Sequence, residues 1–229
     1  MIGGLPAQRP ATLVDEQAAL SLAPGERQWA SRGGIKLAGA LAAFGIDPAG
    51  RRCLDVGAST GGFTDVLLAG GAAAVAAVDV GYGQLDWRLR SDPRVAVFDR
   101  TNFRTVDPGV LGGPFDLVVV DVSFISLRLL AANLAACGRP GTDYVALVKP
   151  QFEVGREYVG RGGLVTDPKR QAAAVAAVAH AVEAAGIGVA GVCPSPITGL
   201  TGNREFFLHG RWGADQSLDP TALEKAVSP

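Results

Sequence analysis

Two lysines and two carboxylates, each at the edge of a segment with the pattern of regular structure, could together deprotonate a hydroxyl group. These residues are Lys36, Asp121, Lys149 and Glu205. A free sugar hydroxyl is a poor nucleophile, and a lysine beside it stabilises the alkoxide that must form. The two carboxylates would hold the lysines in place and accept hydrogen bonds. The same residues could instead be surface salt-bridge residues, which any chain of this size contains in quantity.

A glycine-rich segment, residues 54–64, follows the first predicted strand and opens a helix. Its residues 57–61 fit G-x-S-x-G, the nucleophile elbow of α/β-hydrolases. A hydrolase also needs an oxyanion-hole motif upstream, and an Asp and then a His downstream. The chain has no His-Gly-Gly segment, and its two histidines lie in an alanine-rich helix and at a strand end. The pattern therefore disfavours a hydrolase.

The other interpretation of this segment is a nucleoside-binding turn. Glycines let the backbone approach a ligand, Asp55 anchors the turn, and the loop amides face the ligand. Asp79 ends the second predicted strand, where its carboxylate can bind both hydroxyls of an adenosine ribose. Asp99, after the third strand, can reach the adenine amine. A dinucleotide oxidoreductase would share the first two features, but the glycine spacing and the Asp-Val-Gly sequence before the loop favour S-adenosylmethionine over NAD.

Short apolar runs alternate with helical segments, which is the pattern of a doubly wound α/β sheet with flanking helices. Residues 31–45 are predicted to form a helix, and residues 117–120 a strand that is buried on both faces. Residues 127–137 are predicted to be one helix, and residues 187–193 and 205–208 an antiparallel pair. Ligands of such a sheet bind at the carboxyl ends of the strands, where the charged residues and the glycine segment fall.

Three segments of the chain differ in composition. Residues 1–30 contain three prolines and lack sustained periodicity, which indicates an extended arm or the remnant of a domain. Residues 31–213 carry the α/β pattern. Residues 214–229 are predicted to be a flexible tail, and the glycine-rich, charged residues 151–166 a mobile loop.

The composition argues against several classes of protein. Apolar residues make up 48% of the 229 residues, which suits a close-packed fold rather than a disordered chain. Three widely spaced cysteines and two histidines argue against a disulfide framework and a structural zinc, so no metal is expected. No N-terminal signal pattern is present, and the longest apolar run is too short to span a bilayer. We therefore expect a cytoplasmic protein without a membrane partner.

The net charge is −1, so a nucleic-acid partner would need local basic patches. Two patches are present, one of Arg27, Arg32 and Lys36, and the other of Arg88, Arg90, Arg94, Arg100 and Arg104. Such clusters are more often solvated faces than binding sites. If RNA is the partner, the residues expected to contact it are Arg27, Arg32, Arg156 and Arg161.

Taken together, the loop and the four charged residues make the chain resemble the TlyA family of ribosomal RNA 2′-O-methyltransferases, called hemolysin A in older naming, within the FtsJ-like (RrmJ) group. The matching segments are residues 29–37, 55–64, 121–126, 148–153 and 199–207. The resemblance implies a Rossmann-like sheet, S-adenosylmethionine as the cofactor, and methyl transfer to ribosomal RNA or ribosomal subunits at a cytidine ribose.

The resemblance also implies roles for individual residues. The implied catalytic residues are Lys36, Asp121, Lys149 and Glu205, with Lys149 making the 2′-hydroxyl more acidic. The implied S-adenosylmethionine site consists of Asp55, Gly57, Ser59, Gly61, Asp79, Asp99 and Phe124. Family members usually begin with an S4-type RNA-binding domain, of which only a trailing remnant is expected in residues 1–30.

Three other functions stay open at this point. A small-molecule O-methyltransferase is favoured by the missing RNA-binding domain and the near-neutral charge. Salt-sensitive association with ribosomal subunits would distinguish it from an RNA methyltransferase, because phosphate contacts weaken steeply with salt. A cytolysin is suggested by the older family name, but the alanine-rich helix carries His180 and Glu183 and lacks a basic face. A non-catalytic S-adenosylmethionine-binding module is disfavoured by the complete set of four charged residues.

Overall fold

The computed structural model describes residues 14–15, 17–19 and 29–228, and a seven-stranded sheet runs through it. The strands are β1 (Arg52–Val56), β2 (Ala74–Val78), β3 (Val95–Phe98), β4 (Leu117–Val120), β5 (Asp143–Val148), β6 (Ile187–Pro194) and β7 (Phe206–Trp212). The helices are α1 (Gly33–Phe44), α2 (Gly62–Ala69), α3 (Trp87–Arg90), α4 (Ala131–Ala136), α5 (Pro150–Glu153), α6 (Pro168–Ala184) and α7 (Pro220–Val227).

The strand order is β3-β2-β1-β4-β5-β7-β6. The first five strands in this order pair in parallel, and β7 runs antiparallel to both β5 and β6. The doubly wound sheet with flanking helices is therefore confirmed, as is the antiparallel pair at its edge. The order reverses beside β1, which is the place where open α/β sheets bind their ligands.

Alternate residues of the central strand supply the two hydrophobic cores. Val118 and Val120 of β4 pack on the face covered by α4, α6 and α7, while Leu117 and Val119 pack on the face covered by α1 and α2. All four side chains are fully buried. A strand that is buried on both faces has no polar alternation, which explains the continuous apolar run in the sequence.

The fold differs from the sequence prediction in two places. The helix predicted over residues 127–137 is split into a 3₁₀ turn, Leu127–Leu129, and α4. The predicted flexible tail, residues 214–229, contains α7, whose Ala226 and Val227 are buried against the sheet and α6. Most of the predicted arm, residues 1–30, lies outside the described residues.

Residues 203–205, which lead into β7, connect three parts of the molecule. The Asn203 side chain bonds the backbone of Gly163 and Val165, at 2.7 and 2.9 Å. The Arg204 guanidinium donates to three carbonyls at the end of α7, at 2.7 to 3.2 Å, where a helix leaves carbonyls without internal partners. Glu205 follows, and it faces α1.

Candidate active site

A single row of residues just beyond four parallel strands holds a large part of the predicted site. Extending the strand pairings by one position places Asp99, Asp79, Gly57 and Asp121 side by side across β3, β2, β1 and β4. The ladder continues at this row, because the amides of Asp79, Gly57 and Asp121 donate hydrogen bonds of 2.8 to 3.1 Å to the carbonyls of the last residues of the neighbouring strands. Residues far apart in the sequence therefore meet because the strands end together.

The loop after β1 needs glycine because two of its residues have positive φ angles and other atoms lie directly against them. Gly57 has a φ of 86°, and a Cβ atom there would lie 2.3 Å from the carbonyl oxygen of Asp121. Gly61 has a φ of 97°, and its Cβ would lie 2.3 Å from the side chain of Leu89. Both glycines allow a conformation and a close approach that L-residues do not. The loop between them can therefore turn tightly at the carboxyl end of β1.

Asp55 lies beneath this loop and is fully buried. Its Oδ2 accepts a hydrogen bond of 2.6 Å from the Thr64 hydroxyl, while its Oδ1 has no hydrogen-bond partner. Burial raises the pKa of Asp55 to about 7, against the hydrogen bond from Thr64, and the Asp121 carboxylate adds to the rise. A carboxyl held this way anchors α2 to β1.

A cavity of about 490 Å³ opens beside β2 and has a polar and an apolar side. Asp79 lines it, with Oδ2 accepting from the Ser59 amide at 2.8 Å and Oδ1 accepting from the Gly81 amide at 2.7 Å. The sequence interpretation did not single out Val80, Asn102 or Phe103, which also line this cavity. Asn102 and Phe103 follow Asp99 by three and four residues. Their position just after β3 was the only indication in the sequence that they could line a ligand site.

Asp99 lies in the row but faces elsewhere. Its carboxylate forms an ion pair of 2.5 Å with Arg90, and this hydrogen bond lowers the pKa of Asp99. Asp99 is absent from the lining of the 490 Å³ cavity. The structure therefore brings Asp55, Asp79 and the glycine loop together and leaves Asp99 engaged with α3.

A second cavity, of about 700 Å³, is lined by all four charged residues singled out from the sequence: Lys36, Asp121, Lys149 and Glu205. Lys36 Nζ lies 2.5 Å from Glu205 Oε2, and both residues are buried, with 8% and 4% exposure. Lys149 Nζ lies 2.6 Å from Asp121 Oδ1. The four residues thus form two ion pairs on the wall of one cavity rather than scattered surface bridges.

A second row explains how Lys149 and Glu205 come together. Continuing the antiparallel pairing of β5 with β7 by one position places Lys149 opposite Glu205. Ser123 lies in the loop that follows β4, beside the end of β5, and its hydroxyl lies 2.8 Å from Lys149 Nζ. Ser123 was not among the predicted site residues, although its position two residues after Asp121 was visible in the sequence.

Phe124 stands where the two cavities meet. It lines both of them, is 92% exposed, and has a φ of 65°, which is rare for a bulky residue. Its ring centroid lies 5.2 Å from that of Phe152, which also lines the larger cavity. An exposed aromatic ring held in an uncommon backbone conformation is typical of a functional position.

Glu153 is a buried carboxylate that the sequence interpretation missed, and it stabilises the segment that follows Phe124. Glu153 Oε2 accepts from the Ser126 hydroxyl at 2.5 Å, and Oε1 accepts from the Leu127 amide at 2.8 Å. Burial raises the pKa of Glu153 despite these bonds and the nearby Arg128. Glu153 therefore fixes residues 126–128 against α5, immediately after the segment that carries Phe124.

The arginines predicted to contact RNA occupy different places. Arg32 lines the larger cavity and donates to the carbonyl of Thr198 at 3.0 Å. Arg156 and Arg161 are exposed on two 3₁₀ turns after α5 and do not line that cavity. Arg27 lies outside the described residues.

Two kinds of feature are absent from the part of the chain that the structure describes. No group of three or more His, Cys, Asp or Glu side chains there is arranged to hold a metal ion. Over the same residues, no helix combines the length and the apolar character that crossing a bilayer requires.

Comparison with known proteins gives consistent matches over the sheet and both cavities. The model of a family described as FtsJ-like methyltransferase matches residues 29–212. A Mycobacterium tuberculosis protein named 16S/23S rRNA (cytidine-2′-O)-methyltransferase TlyA is 54% identical over 227 residues, which are 99% of this chain and 85% of the relative.

Two further matches carry an older name. A Brachyspira hyodysenteriae protein named Hemolysin A is 38% identical over 184 residues, covering 80% of this chain and 76% of the relative. The crystal structure of a candidate hemolysin from Lactococcus lactis superposes with a TM-score of 0.83 at 40% identity, covering 88% of this chain and 98% of that chain.

Proposed function

The chain belongs to the FtsJ-like methyltransferase family, and we propose that it transfers the methyl group of S-adenosylmethionine to a ribose 2′-hydroxyl of ribosomal RNA. We propose cytidine as the nucleotide, after the name of the Mycobacterium tuberculosis relative. The observation that carries the proposal is the wall that the two cavities share, formed by Gly57, Ser59, Asp121, Ser123 and Phe124. Transfer between two bound molecules requires adjoining sites of this kind.

The smaller cavity fits the nucleoside part of the cofactor. Each carboxylate oxygen of Asp79 accepts one backbone amide, and a carboxylate has about four lone-pair sites, so two remain for the ribose hydroxyls. Val80 and Phe103 give the cavity apolar walls for an adenine ring, and the Asn102 side chain can bond its edge. Bound there, S-adenosylmethionine supplies an electrophilic methyl group on a sulfonium sulfur.

The larger cavity supplies the groups that act on the hydroxyl. In this proposal the Lys149 ammonium donates to the ribose oxygen and stabilises the negative charge that develops as the proton leaves to water. Asp121 holds Lys149 at 2.6 Å, at the wall shared with the smaller cavity. The buried pair of Lys36 and Glu205 positions the nucleotide from α1 and the segment that precedes β7.

The rim of the larger cavity suits a single nucleotide of a structured RNA. The exposed ring of Phe124 offers a face on which a base can stack, and Arg32 offers a cation for a phosphate. Arg156 and Arg161 extend the basic character along the loop after α5. Because ribosomal subunits are the proposed substrate, we propose the cytoplasm as the place of action.

The test is to incubate the protein with labelled S-adenosylmethionine and purified small and large ribosomal subunits, and to map the methylated nucleotide. Label is expected on one ribose 2′-oxygen in ribosomal RNA. Lys149→Ala should abolish transfer and leave cofactor binding nearly intact. Lys149→Arg should not restore transfer, because the planar guanidinium fork does not replace an ammonium.

Two outcomes would contradict the proposal. Lys149→Ala that keeps most of the turnover on RNA would reduce the four charged residues to a structural cluster. Label found only in a small-molecule acceptor, with none in either subunit, would favour the small-molecule O-methyltransferase instead.

A further inference from the structure

Ser123 lies between the two cavities and contacts the ammonium group on which the proposed reaction depends. It lines both cavities. Its Oγ accepts a hydrogen bond of 2.8 Å from Lys149 Nζ, while Asp121 Oδ1 lies 2.6 Å from the same nitrogen. Ser123 and Asp121, two positions apart in the chain, therefore both contact the Lys149 ammonium group.

The fold explains why both side chains reach this nitrogen. β4 ends at Val120 and β5 at Val148, so Asp121, Ser123 and Lys149 all lie just beyond the ends of paired strands. Lys149 directly precedes α5, whose first residue is Pro150. The lysine backbone is thus fixed on both sides, and the remaining freedom lies in its long side chain.

That freedom matters because an ammonium group has three N–H bonds. Ser123 accepts a hydrogen bond from one of them, the Asp121 carboxylate forms an ion pair with the same nitrogen, and no further protein acceptor contacts Lys149 among the described residues. With the hydrogen bond to Ser123 and the ion pair to Asp121 both in place, the orientation of the ammonium is restricted, and Lys149 lines the larger cavity. With the ion pair alone, no N–H is held in one direction, so the ammonium can rotate and the flexible side chain samples several rotamers.

We infer that Ser123 is a positioning residue that, together with the ion pair to Asp121, fixes the Lys149 ammonium so that a free N–H points at the reacting hydroxyl. The kinetic part of this inference rests on the proposed function. Its structural part concerns only the ammonium group and can be measured without any substrate.

The kinetic experiment compares Ser123→Ala and Ser123→Thr with the wild type on ribosomal subunits. Ser123→Ala is expected to lower kcat roughly tenfold, the scale of one hydrogen bond to a charged group. The KM for subunits and the affinity for S-adenosylhomocysteine should stay within about twofold, because the hydroxyl is not assigned to holding either molecule. Ser123→Thr keeps the hydroxyl and should restore most of kcat.

The structural experiment observes the ammonium group directly by NMR of protein labelled with ¹⁵N-lysine. The chain has four lysines, of which Lys169 and Lys225 are exposed, so exchange with water should broaden their signals away. The signals of Lys36 and Lys149 should remain, and the one missing from Lys149→Arg identifies Lys149. In Ser123→Ala its protons should exchange with water at least about threefold faster, and its N–C bond should rotate faster, as expected when the hydrogen bond to Ser123 is lost.

Ser126→Ala is the matched control within the same segment, because it removes a hydroxyl that bonds Glu153 rather than Lys149. It should lower the thermal stability more than Ser123→Ala does and leave the Lys149 signal unchanged. The inference is overturned if Ser123→Ala leaves the exchange and rotation of the Lys149 ammonium as in the wild type, or if Ser126→Ala changes them equally. If the wild type methylates no ribosomal RNA, the proposed function fails, while the NMR comparison still decides whether Ser123 fixes the ammonium.

Discussion

Replacing one member of the Lys36–Glu205 pair should destabilise the protein far more than replacing both. The two side chains are 10% and 3% exposed and 2.5 Å apart, so little water is available to compensate either charge for the loss of its partner. Removing one partner of a buried pair costs about 3–5 kcal/mol, because an uncompensated charge is left behind. Lys36→Met and Glu205→Leu should each lower the free energy of unfolding by this amount. The double variant should lie within about 1 kcal/mol of the wild type, because two apolar side chains of similar size replace the pair.

The assay is urea denaturation of the four proteins at one pH, with methyl transfer measured in parallel. All three variants should be inactive, including the stable double variant, which separates the role in catalysis from the role in stability. Arg139→Gln is the control, because it breaks the more exposed pair with Asp116 and should cost less than about 1 kcal/mol. The reasoning is refuted if the losses of the single variants simply add in the double variant, since independent sites would then explain them.

Three further perturbations test other parts of the site. Gly57→Ala should abolish cofactor binding, measured by calorimetry, because the new Cβ would lie 2.3 Å from the Asp121 carbonyl oxygen at a φ of 86°; retained binding would contradict this. Asp79→Ala should weaken S-adenosylhomocysteine binding by about 1.5–3 kcal/mol, roughly tenfold or more. Asp99→Ala should have a smaller effect, and equal losses would contradict the assignment of Asp79 rather than Asp99 to the cofactor ribose. Asp55 has an ordinary pKa of 3.8 and a folded value of about 7, so stability should fall as pH rises between these values, because the folded protein keeps a proton that the unfolded chain has released. Asp55→Asn should remove that slope in urea denaturation and stabilise the protein at pH 8, and an unchanged slope would show that another group causes it.

The parts of the fold that follow from local sequence pattern were predictable. The run Leu117–Val120 has no polar alternation, and only a strand covered on both faces accommodates it. Lys36 and Glu205 were singled out because each borders a regular segment, and the structure places both on one cavity. Their roles in catalysis stay a prediction.

What escaped sequence reasoning depends on contacts between distant segments. The segment of α7 was predicted to be a flexible tail because it is short and polar on its own. The helix is held in place by burial of Ala226 and Val227 and by hydrogen bonds from the Arg204 side chain. Ser123 has no distinctive local pattern, and its contact with Lys149 exists only because β4 and β5 end side by side. No spacing rule within one segment contains that information.

The segment of Asn203, Arg204 and Glu205 has a consequence for how this protein can change over evolution. Three successive side chains serve three different neighbours: the loop at residues 163–165, the end of α7, and Lys36 of α1. Inserting or deleting one residue between this segment and β7 would turn these side chains to the opposite face relative to the strand and break the three contacts together. This stretch can therefore diverge by substitution but not by a change of length, and its spacing to β7 should be invariant among relatives that remain active.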